Sequence, residues 1–486
     1  MLPRQNFSGA ALLRRSGAGN PNSRTHQPSS RSFSLGRRFY SLRVGLGLAI
    51  GALLALGAER GAAETTGWAL VPQILHRITP PQFPARDFDI TRFGALGDGT
   101  NDTTKAFADA IAACTQAGGG RVVVPAGTFL TGAIHLKNNV NLHLEKGAII
   151  RFSTDPNQFL PVVFSRDLSE MMNYSPFVYA FEQTNIAVTG EGILDGQASK
   201  SVWPGFIKQS GPDAKELTRM GDLELPVSQR VFGPGHFIRP NFVEPVRCRQ
   251  VLIEGVTIMD SPMWEVHPLY CTNVIVRKVS VDSHGKNNDG CDPDSCTDVL
   301  IQDCTFNTGD DCISVKAGRD HDGRRVNIPS QNVVIQRCHF KDGHGGVTLG
   351  SETAGGLRNV FAEDCEFDSP NLDQAMRFKT NPTRGGGIEE IYIRNCRVKA
   401  ARFGIFLTMR YGSNGAKDGD AMPYVRQIDI RDCAFEKLAK QAVVVEGWSP
   451  TNRITDVTIE NCQFPEMANP YVLTNAARIQ INGKSL

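Results

Sequence analysis

The chain has 486 residues, 48 of them glycine, and a net charge of +2 at neutral pH. That length accommodates two ordinary domains or one extended one. The charge is uneven: residues 1–63 carry nine arginines against one glutamate, +8, which leaves residues 64–486 at −6 and excludes a general polyanion binder of the nucleic-acid kind.

Residues 1–63 read as a targeting segment outside the fold. Arg37-Arg38 precede an apolar run from Val44 to Leu56, short for a membrane span, and small residues follow at Gly61-Ala62-Ala63. An export signal with a basic leader is expected, removed to leave residues 64–486 as one catalytic domain in the periplasm or outside the cell. An organelle transit peptide is the alternative, and the arginine pair is compatible with the twin-arginine route.

Residues 88–118 form the first unit, read as a cap. Asp102 or Thr103 caps a helix whose apolar positions Phe107, Ala110, Ile111 and Cys114 share one face, and Gly118-Gly119-Gly120 stops it. Short strands and turns follow. Residues 198–238 interrupt them and read as a long inserted loop near the binding surface.

From residue 250 a template recurs: a polar residue, then V-x-I-x-x-C-x-F or close variants. Copies start at Gln250, Asn273, Asp298, Asn332, Asn359, Glu390, Gln427 and Asp456. Eight unequal copies of period-2 strands point to an all-β solenoid, a single-stranded right-handed parallel β-helix with an N-terminal capping helix. Cys304, Cys338, Cys365, Cys396, Cys433 and Cys462 share one template slot that Val256 and Val279 fill in earlier coils. The slot therefore calls for a small buried apolar group. Cys291, Cys296 and Cys312 lie near the acidic stretch, where pairing stays open.

Repeat phasing gathers the polar residues. Asp310 and His344 both lie 12 residues after their repeat starts, Asp311 is one step further, and Asp289 is on the preceding coil. Arg377 and Lys379 lie one coil beyond His344, with shared parity. Each residue alone fits a turn or a solvated strand. Convergence on four consecutive coils favours chemistry: clustered carboxylates repel, so one keeps its proton as an acid while the others stay ionised as a base.

Four motifs carry a resemblance that runs from about Phe93 to Phe464: Asn287-Asn288-Asp289-Gly290, Gly309-Asp310-Asp311, Gly343-His344-Gly345 and Arg377-Phe378-Lys379. The chain resembles glycoside hydrolase family 28, the polygalacturonases and their relatives, with Asn288 for a usual Thr and Phe378 for a usual Ile. The resemblance implies the pectin-lyase-like β-helix and inverting hydrolysis of polygalacturonate. It implies Asp310 as general acid, Asp289 and Asp311 as activators of water, and His344 as the partner of Asp310. Arg377 and Lys379 would bind the substrate carboxylate, with Asn287 and Tyr411 as further substrate contacts. Residues 230–242 resemble the bacterial exo-acting subgroup, so release from a chain end of pectic substrate is expected, by a monomer without metal or cofactor and with no membrane or nucleic-acid partner. Residues 319–325 read as a solvated charged loop. The alternatives are a relative directed at rhamnogalacturonan or a related uronic polymer, a Ca²⁺-dependent lyase and a non-catalytic carbohydrate-binding β-helix.

Overall fold

The polar residue that opens each repeat is a corner. In the computed structural model, which describes residues 66–412 and 419–486, Gln250, Asn273, Asp298, Asn332, Asn359, Glu390, Gln427 and Asp456 all have φ between 52° and 60°. Left-handed backbone suits Asn and Asp, whose short polar side chains bond locally. Five residues later each coil turns left-handed again, at Lys278, Asp303, Arg337, Asp364, Asn395, Asp432 and Asn461, with Gly255 in the first copy. Between the two corners runs one strand of a 14-stranded, almost wholly parallel sheet.

Repeat positions pair in register: Val251 with Val274, Val274 with Val299, Val299 with Val333 and Val333 with Val360. An 11-stranded sheet follows the second corner, and a six-stranded sheet closes the later coils. Equivalent side chains therefore stack. Phe306, Phe340 and Phe367 form a stack with ring centroids 5.8 and 4.7 Å apart, an offset geometry that aromatic rings favour. This is the parallel β-helix expected from the repeats.

All twelve cysteines are buried free thiols. The six in the template slot donate to backbone carbonyls of their own coils, as Cys304 Sγ does to Gln302 O at 3.3 Å. Cys296 belongs to a second ladder, Cys248-Cys271-Cys296, in which each backbone N–H donates to the next sulfur. Cys291 pairs through its backbone with Ile313 in another ladder. The pairing left open for Cys291, Cys296 and Cys312 does not occur: all three are free thiols, Cys296 stacks with Cys271, and Cys291 stands opposite Ile313, not Cys312.

The capping helix is Thr104–Gln116, with Phe107, Ala110, Ile111 and Cys114 buried as expected. Thr103 holds the cap position without a side-chain bond, and Asp102, one residue before it, accepts from Thr104 N at 2.8 Å. A shorter helix, Val71–Arg77, lies upstream. Its Val71 and Ile74 cover the outward template positions Leu252, Ile275, Val334 and Phe361, so these apolar residues are shielded by the amino-terminal strap.

Residues 198–238 are not a loop. They hold two helices, Trp203–Gln209 and Gly211–Asp222. Pro212 lies in the first turn, where a missing N–H costs nothing, so Gly211-Pro212 starts a helix instead of breaking one. Trp203 and Phe206 pack with Tyr174, and Leu217 with Met171, Phe232 and Ile238. Residues 319–325 also differ from expectation: Asp320–Val326 is a helix, and Arg325 bonds Glu170 and Asp322. The expected leader, residues 1–63, lies outside the described residues.

Candidate active site

Four consecutive coils bring six of the expected residues together. Asp310 and Asp311 fill the turn between strands Thr305–Thr308 and Ile313–Val315. Asp289 occupies the equivalent turn one coil earlier, where Gly290 N donates to Asp311 O. His344 directly precedes strand Gly345–Leu349, and Arg377 and Lys379 end strand Gln374–Lys379.

The equal offset of Asp310 and His344 becomes a contact: His344 Nδ1 and Asp310 Oδ1 are 2.9 Å apart. Carboxylate oxygens of Asp289, Asp310 and Asp311 lie within 4.8 Å of one another. The shared parity of Arg377 and Lys379 sends both to Asp311: Arg377 Nη1 donates to Oδ1 at 2.8 Å and Lys379 Nζ to Oδ2. Arg377 and Lys379, expected to bind the substrate carboxylate, thus also hold Asp311. Gly345 makes the approach possible, because a Cβ there would sit 2.8 Å from Asp311 Oδ1 and 2.9 Å from Arg377 Cδ. Tyr411 lies over Lys379 and Arg377, 4.8 and 5.5 Å from its ring centre. Asn287 takes a left-handed corner, and its Oδ1 accepts from Arg239 Nη2 at 2.8 Å. Asn288, in the place of the usual Thr, donates to Ser261 O and Met263 O and pins the loop before Asp289.

Environment separates the three carboxylates. Burial pushes Asp289 up to about 7; Lys316 opposes this, and the charges of Asp310 and Asp311 add to it. Burial also works against Asp311, but Lys379 and Arg377 outweigh it and hold that carboxyl well below the usual carboxylate range. The hydrogen bond to Asp310 raises His344 above the ordinary imidazole value, against partial burial. Groups this close titrate as a set, with one proton retained near neutrality. Side-chain exposure is 17 % for Asp310, 4 % for Asp289 and 0 % for Asp311, so Asp310 alone reaches outward.

Beneath them lies a buried hub absent from the sequence reading. Lys316 Nζ sits 3.2 Å from Asp289 Oδ2, 3.4 Å from Asp292 Oδ2 and 3.5 Å from Glu352 Oε2, and 4.6 Å from the Trp264 ring centre. Burial disfavours its charge, but Asp292, Asp289 and Glu352 outweigh this and raise Lys316 well above the ordinary lysine value. The alternation Ile313-Ser314-Val315-Lys316 is the sequence signal for it, since period 2 puts Lys316 on the face of Ser314. The three catalytic-type carboxylates are near enough to hold a cation, yet Lys316, Arg377 and Lys379 already supply the opposing charge. A second carboxylate and imidazole group, His339, Glu366 and Asp368, is likewise countered by Lys399.

Asp289 and Asp310 line a cavity of about 400 Å³, walled on one side by Ile207, Ser210 and Ala214 of the inserted helices and on another by Arg319, Glu352 and Arg384. A rigid solenoid that presents clustered carboxylates in a cation-lined cleft has the parts of an enzyme acting on an acidic polysaccharide.

Comparison with known proteins agrees. Residues 235–464 match the model of glycosyl hydrolases family 28, and residues 88–144 match that of rhamnogalacturonase A/epimerase, pectate lyase-like. A probable polygalacturonase of Vitis vinifera is 31% identical over 392 residues, 78% of this chain and 74% of its own. An exo-poly-alpha-D-galacturonosidase of Dickeya chrysanthemi is 28% identical over 67% of this chain and 57% of its own. The crystal structure of a hyperthermoactive exopolygalacturonase from Thermotoga maritima is 37% identical, with a TM-score of 0.80 over 86% of this chain and 96% of that one. The protein is a glycoside hydrolase on a parallel β-helix. It belongs to glycoside hydrolase family 28.

Proposed function

We propose that this chain hydrolyses the α-1,4-galacturonosidic bonds of polygalacturonate from a chain end, with inversion. The observation that carries the reading is the division of the three carboxylates into one outward-facing acid bonded to an imidazole and two buried bases held by cations. Asp310 delivers the proton to the glycosidic oxygen. His344, raised by its bond to Asp310, stores the proton of the pair and returns it to Asp310. Asp289 Oδ1, which has no hydrogen-bond partner in the protein, and Asp311 take the proton of the attacking water.

Burial of the two bases supports the inverting reading, although the carboxylate spacing by itself is nearer that of retaining enzymes. The oxygens within 4.8 Å are closer than the ~6.5–9.5 Å between carboxyls common in inverting glycosidases. A covalent route, however, needs a carboxylate that reaches the sugar, and both Asp289 and Asp311 are buried, the latter with each oxygen bonded to a cation. On the leaving-group side Arg377, Lys379 and Tyr411 bind the neighbouring sugar, Arg377 through N–H donors that Asp311 leaves free, while Asn287 shapes the loop at the other side.

Exo action is supported by the inserted helices that wall the cleft and by the exo-acting relatives. Export to the periplasm or the medium after removal of residues 1–63 fits a polymeric substrate. Among the described residues no helix is long and apolar enough to cross a membrane. The deciding experiment is the product profile on polygalacturonate with NMR of the first anomer released. Mono- or digalacturonate from the first time point, in the inverted β form, is expected; a ladder of sizes removes the exo assignment, and an α product removes inversion. Treatment with EDTA is expected to leave turnover unchanged, because the carboxylates are balanced by lysine and arginine; loss that Ca²⁺ restores would favour a lyase.

A further inference from the structure

The cleft continues past the carboxylates. Ile207, Arg239 and Lys286 line its cavity and also line a second one of about 350 Å³, on the side of the earlier coils beside Asp260 and His284. These three residues are therefore the partition between two chambers. Most cations along the cleft are already matched: Lys316 to Asp289, Asp292 and Glu352, Arg377 and Lys379 to Asp311, Arg319 and Arg384 to Asp320. Among the described residues, Arg239 and Lys286 make no salt bridge to a carboxylate.

Arg239 bonds no carboxylate, although Asp167, which lines the same cavity, acts on its charge from a distance. Its Nη1 donates to Pro262 O at 2.5 Å and to Lys286 O at 2.7 Å, and Nη2 to Asn287 Oδ1 at 2.8 Å. All three acceptors are uncharged, and a guanidinium has five N–H donors, so two remain. Lys286 is exposed, with no side-chain hydrogen bond. A substrate with a carboxylate on each sugar needs such unmatched positive charge in a protein whose body is net negative.

We propose that Arg239 and Lys286 form the recognition site for the carboxylate of the uronate at the closed end of the cleft, on the far side of Asp289 from Arg377 and Lys379. The partition that stops the chain thus also reads its charge. Arg239 supplies a pre-positioned fork and Lys286 a mobile point charge.

This rests on the reading of the cleft as a polygalacturonate site. Lys286→Met is the clean test, because an exposed side chain with no bonds contributes little to stability. Steady-state kinetics on polygalacturonate and on its highly methyl-esterified form should show KM for the acidic polymer raised about tenfold, with a smaller change in kcat. The preference for acid over ester should fall by a similar factor. An unchanged KM, or equal loss on both substrates, overturns the proposal. Should the wild-type protein cleave neither polymer, the functional reading fails by itself, and calorimetric titration with galacturonate against neutral galactose still decides the site. Galacturonate binding weakened about tenfold by Lys286→Met supports it; binding equal to wild type overturns it.

Discussion

Asp310→Asn is expected to lower kcat on polygalacturonate by ~10³- to 10⁴-fold, the range a positioned general acid contributes. An amide has no proton to give an alkoxide leaving group at this pH. The substitution keeps the shape of the side chain and an acceptor toward His344. Asp310 also carries no buried ion pair, unlike its neighbours, so thermal stability should stay near wild type. Removing one of three adjacent negative charges also relieves repulsion on Asp289. The variant should therefore fold, bind oligogalacturonate and fail to turn it over. Turnover within tenfold of wild type would show that the acid is another group and that the imidazole beside Asp310 has a structural task.

Lys316→Met is expected to reduce both stability and activity. Lys316 is the cation shared by Asp289, Asp292 and Glu352, its side chain buried at the wall of the cavity. Removing one partner of a buried ion pair costs about 3–5 kcal/mol, because the remaining charge has no solvent to face. The sign with pH follows from Asp289. Its carboxyl already stands at about 7 with Lys316 in place, and Lys316 is what holds it down. Without the lysine it rises further above its unfolded value. The part of the Tm deficit that comes from Asp289 should be smallest well below pH 7, where the folded protein keeps that carboxyl protonated with or without the lysine, and grow as pH rises through 7. In kcat/KM the acid limb, which reports ionisation of the base, should move to higher pH. Lys316→Arg, which keeps the charge, should restore most of the limb. An unmoved acid limb in Lys316→Met would separate Asp289 from the base role.

The limits of the sequence lie at particular residues. The eight polar repeat starts are legible because a left-handed corner needs Asn, Asp or a tolerant polar residue at one point in every coil. The six stacked cysteines are legible because valine fills the same slot. Asp310 and His344 meet because equal offsets on adjacent coils put them at one angle. Gly211-Pro212 misleads, since the same dipeptide breaks one helix and starts another, and only the packing of Trp203, Phe206 and Leu217 decides which. Lys316 has the right parity on its strand, yet a lysine at a strand end is ordinarily a solvated one. What marks it is the depth at which the third sheet places it.

Periodicity, corners and the coil on which each side chain falls belong to the local chain, so the sequence alone determined the solenoid, its stacked core and the gathering of Asp289, Asp310, Asp311 and His344. Ion pairing belongs to distances between coils and to the exclusion of water, so the tertiary structure decided which cation answers which carboxylate. It matched Arg377 and Lys379 to Asp311 and Lys316 to Asp289, and it left Arg239 and Lys286 unmatched at the partition. The reason is physical: opposite charges in a low-dielectric site gain or lose several kcal/mol over shifts of a few ångströms, a scale that residue spacing does not resolve.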